Sequence, residues 1–225
     1  MAPAAAATRV TGFLCRVYGW MCAGLAITAL VAFGVAGSPA IVGGLLSNQL
    51  VFLGLIVMEL GLVFYLSARA ERLAPGTATA LFAGYAALNG VTLSLLLLAC
   101  TGQSVTNAFV VSAGMFGAMA LFGSATKRSL AGVGQFLFMG LIGLVLVSLV
   151  GLVWHNSALQ FVISAGGVIV FTGLAAWGAQ RLKQMALATP EGSADSLAIV
   201  GALALYLDFI NLFLSLLTLV GNRRE

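Results

Sequence analysis

The sequence predicts an all-α membrane protein, a polytopic bundle of seven transmembrane helices. Of its 225 residues, 61% are hydrophobic and only 7% are charged, whereas soluble domains carry about 25% charged residues. The mean hydropathy is +1.12, and seven apolar runs each have about 20 residues, the length that crosses a bilayer. Because so few charges would not cover the surface of a soluble globule, the lipid bilayer is the expected surrounding.

The apolar runs follow one another with short connections and no inserted soluble domain. They cover residues 13–35, 48–68, 78–100, 105–126, 133–154, 158–180 and 197–220. We expect residues 1–12 to form a flexible N-terminal tail, since chain ends are often poorly ordered, and residues 13–225 to form one seven-helix transmembrane domain. The first run is longer than a signal-peptide core of about 7–15 residues, so it is expected to be a retained helix.

Basic residues cluster on one side of the predicted bundle, at the start of the chain and after the second, fourth and sixth runs. They are Arg9, Arg16, Arg69, Arg72, Lys127, Arg128, Arg181 and Lys183. Because Lys and Arg are enriched on the cytoplasmic side, we expect a cytoplasmic N-terminus, in a membrane such as the bacterial inner membrane. Seven crossings place the C-terminus outside, where Arg223 and Arg224 break the rule; a last segment that re-enters and returns is the alternative. No basic stripe with aromatics is present in the sequence, so nucleic acid is not an expected partner.

Two carboxylates lie deep in apolar runs, Glu59 in the second and Asp208 in the seventh. Each is eleven residues from the start of its run, so each lies about 16 Å from the end of its helix, near the middle of a core about 30 Å thick. The two helices run in opposite directions, and the carboxylates can therefore meet at one depth. Since a charge at this depth costs several kcal/mol unless it is paired or hydrated, we expect an ion or proton site.

The seventh run also carries a polar stripe. Asp208, Asn211 and Ser215 are spaced so that they share one helical face. A polar face on an apolar helix points away from lipid, which predicts that the seventh helix is central. Asn89 of the third run and Gln135 of the fifth are expected to face the same interior and to form structural hydrogen bonds.

The fourth run carries small residues at four-residue spacing. The pairs are Ala113 with Gly117 and Gly114 with Ala118. Such pairs let the backbones of transmembrane helices approach closely, so this face is expected to serve ordinary helix packing.

Several stretches resemble the Bax inhibitor-1 family, in particular its bacterial members. They are "AGMFGAMALFGSATKRSL", "FLFMGLIGL", "ALQFVIS", "FTGL" and "LALYLDFINLFLSLLTLVGNRRE", together with "MELGLVFYLSARAERL" and "LFAGYAALNGVTLS". The resemblance covers most of the chain beyond the first run. It implies six helices around a central seventh and a pH-sensitive calcium leak, in which one aspartate on the sixth helix and one on the seventh share a proton. Asp208 matches the seventh-helix aspartate.

The sequence departs from the family pattern at the other aspartate. The end of the sixth run reads "AAWGAQRLK", and Gly178 stands where the resemblance implies the second carboxylate. Without that carboxylate no proton-sharing pair forms at this position. Calcium, as the transported ion, prefers about six to eight oxygen ligands, so Asp208 with Asn211 is at most a weak metal site. No resident cofactor is expected.

Two replacements for the lost partner of Asp208 are open. Glu59 can supply a second carboxylate, or Arg69 or Arg181 can form a fixed salt bridge. Only the pair of carboxylates would respond to pH near neutrality.

Two function classes remain for a chain with these features. The first is the leak channel for calcium or protons, with Asp208 as its switch. The second is a regulator without transport activity that binds a membrane-bound protease or another membrane protein, which the resemblance also implies and which Gly178 favours. An enzyme is not expected, because an aspartyl protease needs two opposed carboxylates and the sequence has no HExxH zinc motif.

Overall fold

The computed structural model describes the chain apart from residues 1–2, 48, 70–73, 154–155, 189–193 and 222–225. The described part contains eight helices. They are α1 (Pro3–Ala36), α2 (Pro39–Ser47), α3 (Gln49–Arg69), α4 (Pro75–Ala99), α5 (Gly102–Ala125), α6 (Ala131–Val153), α7 (Ser157–Ala188) and α8 (Ala194–Val220). The seven predicted runs correspond to all of these except α2, so the predicted seventh helix is α8. Because α1 begins at Pro3, it includes part of the predicted tail, whose flexibility stays a prediction.

The helices have the lengths that a membrane requires. Within the described residues, six are long and apolar enough to cross a bilayer: α1, α4, α5, α6, α7 and α8. The 21 residues of α3 span about 31 Å and include the shorter apolar stretch Leu53–Leu66. The all-helical membrane bundle is thus confirmed, with six clear crossings and α3 at the position of the seventh. Arg72, Arg223 and Arg224 lie outside the described residues, and the orientation in the membrane stays a prediction.

The connection between α5 and α6 is held by side chains of α7. Gln180 donates from Nε2 to the carbonyl oxygen of Arg128 and accepts the backbone N–H of Leu130 at its Oε1, both at 2.8 Å. Lys183 donates from Nζ to the carbonyl oxygen of Ser124 at 2.8 Å. A cation at this place also complements the partial negative charge at the C-terminus of α5.

The chain forms two compact units. Unit 1 comprises the described residues of Met1–Cys100 and Ala186–Tyr206, and unit 2 those of Thr101–Met185 and Leu207–Arg223. The helix α8 therefore contributes its first half to unit 1 and its second half to unit 2. It is also the most buried of the crossing helices, with 61% of its apolar window buried against 11% for α6, as predicted for a central helix.

Glycines set the closest helix contacts in each unit. In unit 1, a Cβ added to Gly90 of α4 would lie 2.7 Å from the carbonyl oxygen of Thr28 on α1. In unit 2, a Cβ on Gly123 of α5 would overlap the backbone of Ala176 on α7. Any larger side chain at these two positions would force the helices apart.

Two sequence predictions about helix faces are wrong. Ala113, Gly114 and Ala118 are exposed, and a Cβ on Gly114 or Gly117 would meet nothing within 4 Å. The reason is that α5 buries a different face. Its buried residues are Ala108, Ser112, Phe116, Ala120 and Gly123.

Gln135 is also exposed rather than interior. Its neighbour Gly134 faces Trp177 of α7, and Leu137 contacts the position of Gly173 on the same helix. Gln135 lies about 100° around α6 from Gly134, because an α-helix has 3.6 residues per turn, and so it points away from α7.

Candidate functional site in the membrane

Asp208 lies near the middle of α8, in a helix that is otherwise almost entirely apolar. The residue as a whole is half-buried, and the following residues Phe209 and Ile210 are buried. Among the described residues of unit 2, none makes a hydrogen bond or an ion pair with this carboxylate. The carboxylate therefore destabilises the folded protein, because it lies in apolar surroundings and no described residue of its own unit bonds it.

The other polar side chains of α8 bond to their own helix. Asn211 donates from Nδ2 to the carbonyl oxygen of Leu207 at 2.8 Å, and Ser215 donates to the carbonyl oxygen of Asn211 at 2.7 Å. Because these donors are satisfied by the preceding turn, the polar stripe needs no partner helix. Within the stripe, Asp208 is the member whose polar atoms stay unbonded by the described residues of its unit.

Gly178, where the resemblance implies a second aspartate, can be placed relative to Asp208 by helix geometry. A Cβ on Gly167 of α7 would touch the side chain of Ser215, and consecutive helices joined by a short connection run antiparallel. Seven residues are about two turns, so Leu174 lies opposite Asp208. Gly178 lies on the same face, about 6 Å further along α7. Gly178 thus lies on the face of α7 opposite Asp208, but not at the depth of Asp208.

Glu59 has a hydrogen-bond partner inside unit 1. The hydroxyl of Thr92 on α4 donates to its Oε1 at 3.0 Å, and Glu59 is half-buried on α3. Asp208 belongs to unit 2. The pairing of Glu59 with Asp208 therefore stays a prediction, while the bond to Thr92 is a finding that sequence reasoning missed.

A buried polar cluster in unit 1 was also missed. The hydroxyl of Tyr206 lies 2.6 Å from that of Thr28, which reaches the carbonyl oxygens of Ala86 at 2.8 Å and Gly24 at 3.0 Å. Since the single proton of Thr28 is donated to a backbone carbonyl, Tyr206 donates to Thr28. These groups link α1, α4 and the first half of α8.

Asn89 extends the polar cluster along α4. It is 7% exposed and lies one helical turn from Tyr85, whose ring meets that of Tyr206 edge to face with centroids 5.9 Å apart. The structural hydrogen bonds expected of its side chain stay a prediction. The only sequence signal for the cluster is the four-residue spacing of Tyr85 and Asn89, which places them on one face.

The two arginines considered as salt-bridge partners each lie over an aromatic ring. The guanidinium of Arg69 is 5.5 Å from the ring centroid of Tyr65, and that of Arg181 is 5.7 Å from the ring centroid of Trp177. Both arginines are exposed. The structure describes both Arg181 and Asp208, which belong to unit 2, and contains no salt bridge between them, whereas a salt bridge between Arg69 and Asp208 stays a prediction.

The described residues hold no group of three His, Cys, Asp or Glu side chains that could bind a metal ion. On the same face of α8, Asn211 lies one helical turn from Asp208 and adds a single amide oxygen. This donor set falls short of the oxygen shell that calcium prefers.

Comparison with known proteins agrees with this architecture. A family model described as "Inhibitor of apoptosis-promoting Bax1" matches residues 10–225. The "Inner membrane protein YbhL" of Escherichia coli (strain K12) is 48% identical over 215 residues, covering 94% of this chain and 92% of that protein. A Deinococcus radiodurans protein is 45% identical over 218 residues, covering 96% and 93%. A Borreliella burgdorferi protein is 39% identical over 215 residues, covering 95% and 93%. The chain therefore belongs to the Bax inhibitor-1 family of multi-pass membrane proteins.

Proposed function

We propose that this protein is a pH-sensitive leak for calcium ions or protons and that Asp208 is its switching group. The observation that carries the proposal is the carboxylate of a half-buried residue in the middle of α8, with no bonded partner among the described residues of unit 2. A carboxylate in such a place is stabilised either by a proton or by a cation and its water. The proton and the cation are also the two species that the proposed leak would pass.

Gating follows from the two states of Asp208. In the protonated state the carboxyl is neutral and α8 is compatible with a dry, closed interior. In the ionised state the charge needs water or a cation, and apolar constrictions that dewet and rewet are known to gate channels. Asn211 and Ser215 lie on the same face towards the end of α8, so they offer polar atoms along a hydrated path.

A single aspartate makes this switch simpler than the one that the family resemblance implies. Because Gly178 has no carboxylate, the proton on Asp208 is not shared with α7. An aspartate introduced there would lie on the same face of α7, about one turn from the level of Asp208. We expect Gly178→Asp to change the pH at which the leak responds, because nearby carboxylates titrate as a coupled pair.

The experiment is calcium flux into proteoliposomes between about pH 5 and 8, the range in which physiological pH switches operate. We expect a pH-dependent leak from the natural protein that Asp208→Asn abolishes. The control is Thr218→Val, because Thr218 is an exposed residue of α8 that bonds only its own helix, to the carbonyl oxygen of Leu214. Flux that is the same in Asp208→Asn and in the natural protein would contradict the proposal.

The second candidate is a regulator without transport activity that binds a membrane-bound protease or another membrane partner. The observation that favours it is Gly178, which removes one half of the pair on which the family's leak depends. Copurification of a protease with a chain that passes no calcium at any pH would support it. Both candidates act without covalent chemistry.

A further inference from the structure

An open apolar groove of about 450 Å³ lies in unit 1 between α1, α3 and α4. Val31 of α1 and Leu62 of α3 form its walls, and its floor follows α4 from Ala80 to Val91. A Cβ on Gly84, in the middle of this floor, would meet nothing within 4 Å. The small side chains of α4 thus leave a gap that the rest of unit 1 does not fill.

The length of the groove fits one leaflet of a bilayer. From Ala80 to Val91 the axis of α4 rises about 16 Å, which is half of a hydrocarbon core of about 30 Å. The groove ends at Val91, just before Thr92, which bonds Glu59. Neither of these two residues lines the groove. A partner transmembrane helix would need a surface through both leaflets, whereas an acyl chain occupies only one.

A positive charge lies on α3, on the helical face that lines the groove. Arg69 follows Leu62 by seven residues on α3, which places it on the same face two turns nearer the helix end. Its guanidinium lies 5.5 Å from the ring centroid of Tyr65. An arginine beside a tyrosine at a helix end matches the interface of a membrane, and a guanidinium binds phosphate through paired hydrogen bonds.

We propose that this groove binds one anionic phospholipid from the leaflet on the Arg69 side. One of its two acyl chains lies along Ala80, Gly84 and Val91, and its phosphate lies at Arg69. Lipid contacts every exposed surface of a membrane helix, but the groove should differ from those surfaces in two ways. Its lipid exchanges more slowly than lipid on the exposed faces of α6, and the groove selects lipids more strongly by the charge of the headgroup.

The test uses the full-length protein in nanodiscs of phosphatidylethanolamine and phosphatidylglycerol, the latter with a photoreactive diazirine on its acyl chain. After illumination, the labelled peptides are mapped by mass spectrometry. We expect the label on α3 and α4. Gly84→Leu fills the groove and should lower labelling about tenfold, which corresponds to about 1.4 kcal/mol of binding free energy. The matched control is Gly114→Leu, because Gly114 is exposed on α5 and its Cβ also meets nothing within 4 Å.

The headgroup is tested by competition with phosphatidylcholine. We expect Arg69→Gln to remove the preference for phosphatidylglycerol while the acyl label stays in the groove. Arg181→Gln, which also removes an arginine stacked on an aromatic ring, should leave that preference unchanged.

Three results would overturn the proposal. The first is equal labelling of the natural protein and of a Gly84→Leu variant with unchanged melting. The second is label spread evenly over α3, α4 and α6. The third, seen with a protein cross-linker in place of the labelled lipid, is a second copy of the chain bound in the groove. A lipid preference that survives Arg69→Gln would overturn the headgroup assignment. None of these results depends on whether the protein passes calcium.

Discussion

The two units differ in whether all of their inward polar groups are bonded. In unit 1, Glu59 accepts a hydrogen bond from Thr92 at 3.0 Å, and the Thr28 hydroxyl bonds Tyr206 at 2.6 Å. In unit 2, the described residues offer no bond to Asp208, and the Oγ1 atom of Thr172 is buried without a partner. Gln180 of unit 2 is bonded as well, so the contrast between the units lies in Asp208 and Thr172.

The contrast separates polar groups that fix helix packing from the groups that the proposed function uses. A bonded polar group inside a membrane fixes the packing of its helices. An unbonded one destabilises the structure, and such groups in native proteins call for an explanation such as a functional role or an unseen water. By this criterion unit 1 is the scaffold, and the second half of α8 in unit 2 is the place to look for ion or proton movement.

The largest expected effect comes from removing the carboxylate of Asp208. Because a charge at the centre of a membrane costs about 2.5–3.5 kcal/mol, we expect Asp208→Leu to stabilise the protein by about 2–3 kcal/mol and to abolish pH-dependent flux. Chemical unfolding in detergent measures the first effect and proteoliposome assays measure the second. A gain in stability with a loss of activity is typical of a functional site.

The matched variant in unit 1 is Glu59→Leu. It removes a carboxylate that has a partner, and the freed Thr92 hydroxyl can donate to the carbonyl oxygen of Asn89, 3.0 Å away. We expect a smaller change in stability than for Asp208→Leu. If Asp208→Leu were instead destabilising, Asp208 would be a structural group and the division of roles between the units would fail.

The next effect compares the same substitution in both units. Thr28→Val removes the bonds to Tyr206 and Ala86 and should cost about 1–2 kcal/mol, near the upper end for hydrogen bonds inside membranes. Thr172→Val removes a hydroxyl that has no partner and should stabilise the protein by about 1 kcal/mol. The signs are therefore opposite for one chemical change. A destabilising Thr172→Val would show that its hydroxyl bonds a water molecule.

The crossing helices were predictable because a long apolar run is a local feature of the sequence and needs no knowledge of tertiary contacts. The helix α2 was missed because its nine residues lie in what the sequence presents as a connection. The outward face of Gly114 and the exposure of Gln135 were missed for another reason. Residue spacing shows which side chains share a face, but the packing of other helices decides whether that face is buried.

The candidate site was predictable only in part. Asp208 is recognisable as a lone charge in an apolar run, and its position in the middle of α8 agrees with that expectation. The hydrogen-bond partner of Glu59 was not predictable, because Thr92 lies on the next helix and the sequence offers many other polar residues. The bond between Thr28 and Tyr206 joins residues 178 positions apart. The spacing of residues within one helix cannot predict a contact between such distant parts of the chain.

The smallest effect tests the scaffold role of unit 1 through Tyr206. The variant Tyr206→Phe keeps the ring, which meets Phe82 edge to face with centroids 5.6 Å apart, and removes only the hydroxyl that bonds Thr28. We expect a loss of about 0.6 kcal/mol, the average for such bonds in membranes.

A double-mutant cycle with Thr28→Val separates this bond from the other effects of each change. If the bond forms, the double variant should be less destabilised than the sum of the single variants by about 0.6 kcal/mol, measured by unfolding in detergent. Additive losses would mean that the two hydroxyls do not stabilise each other. Unit 1 would then also contain hydroxyls whose close approach contributes no stability, and the contrast with Asp208 and Thr172 would be smaller than the distances indicate.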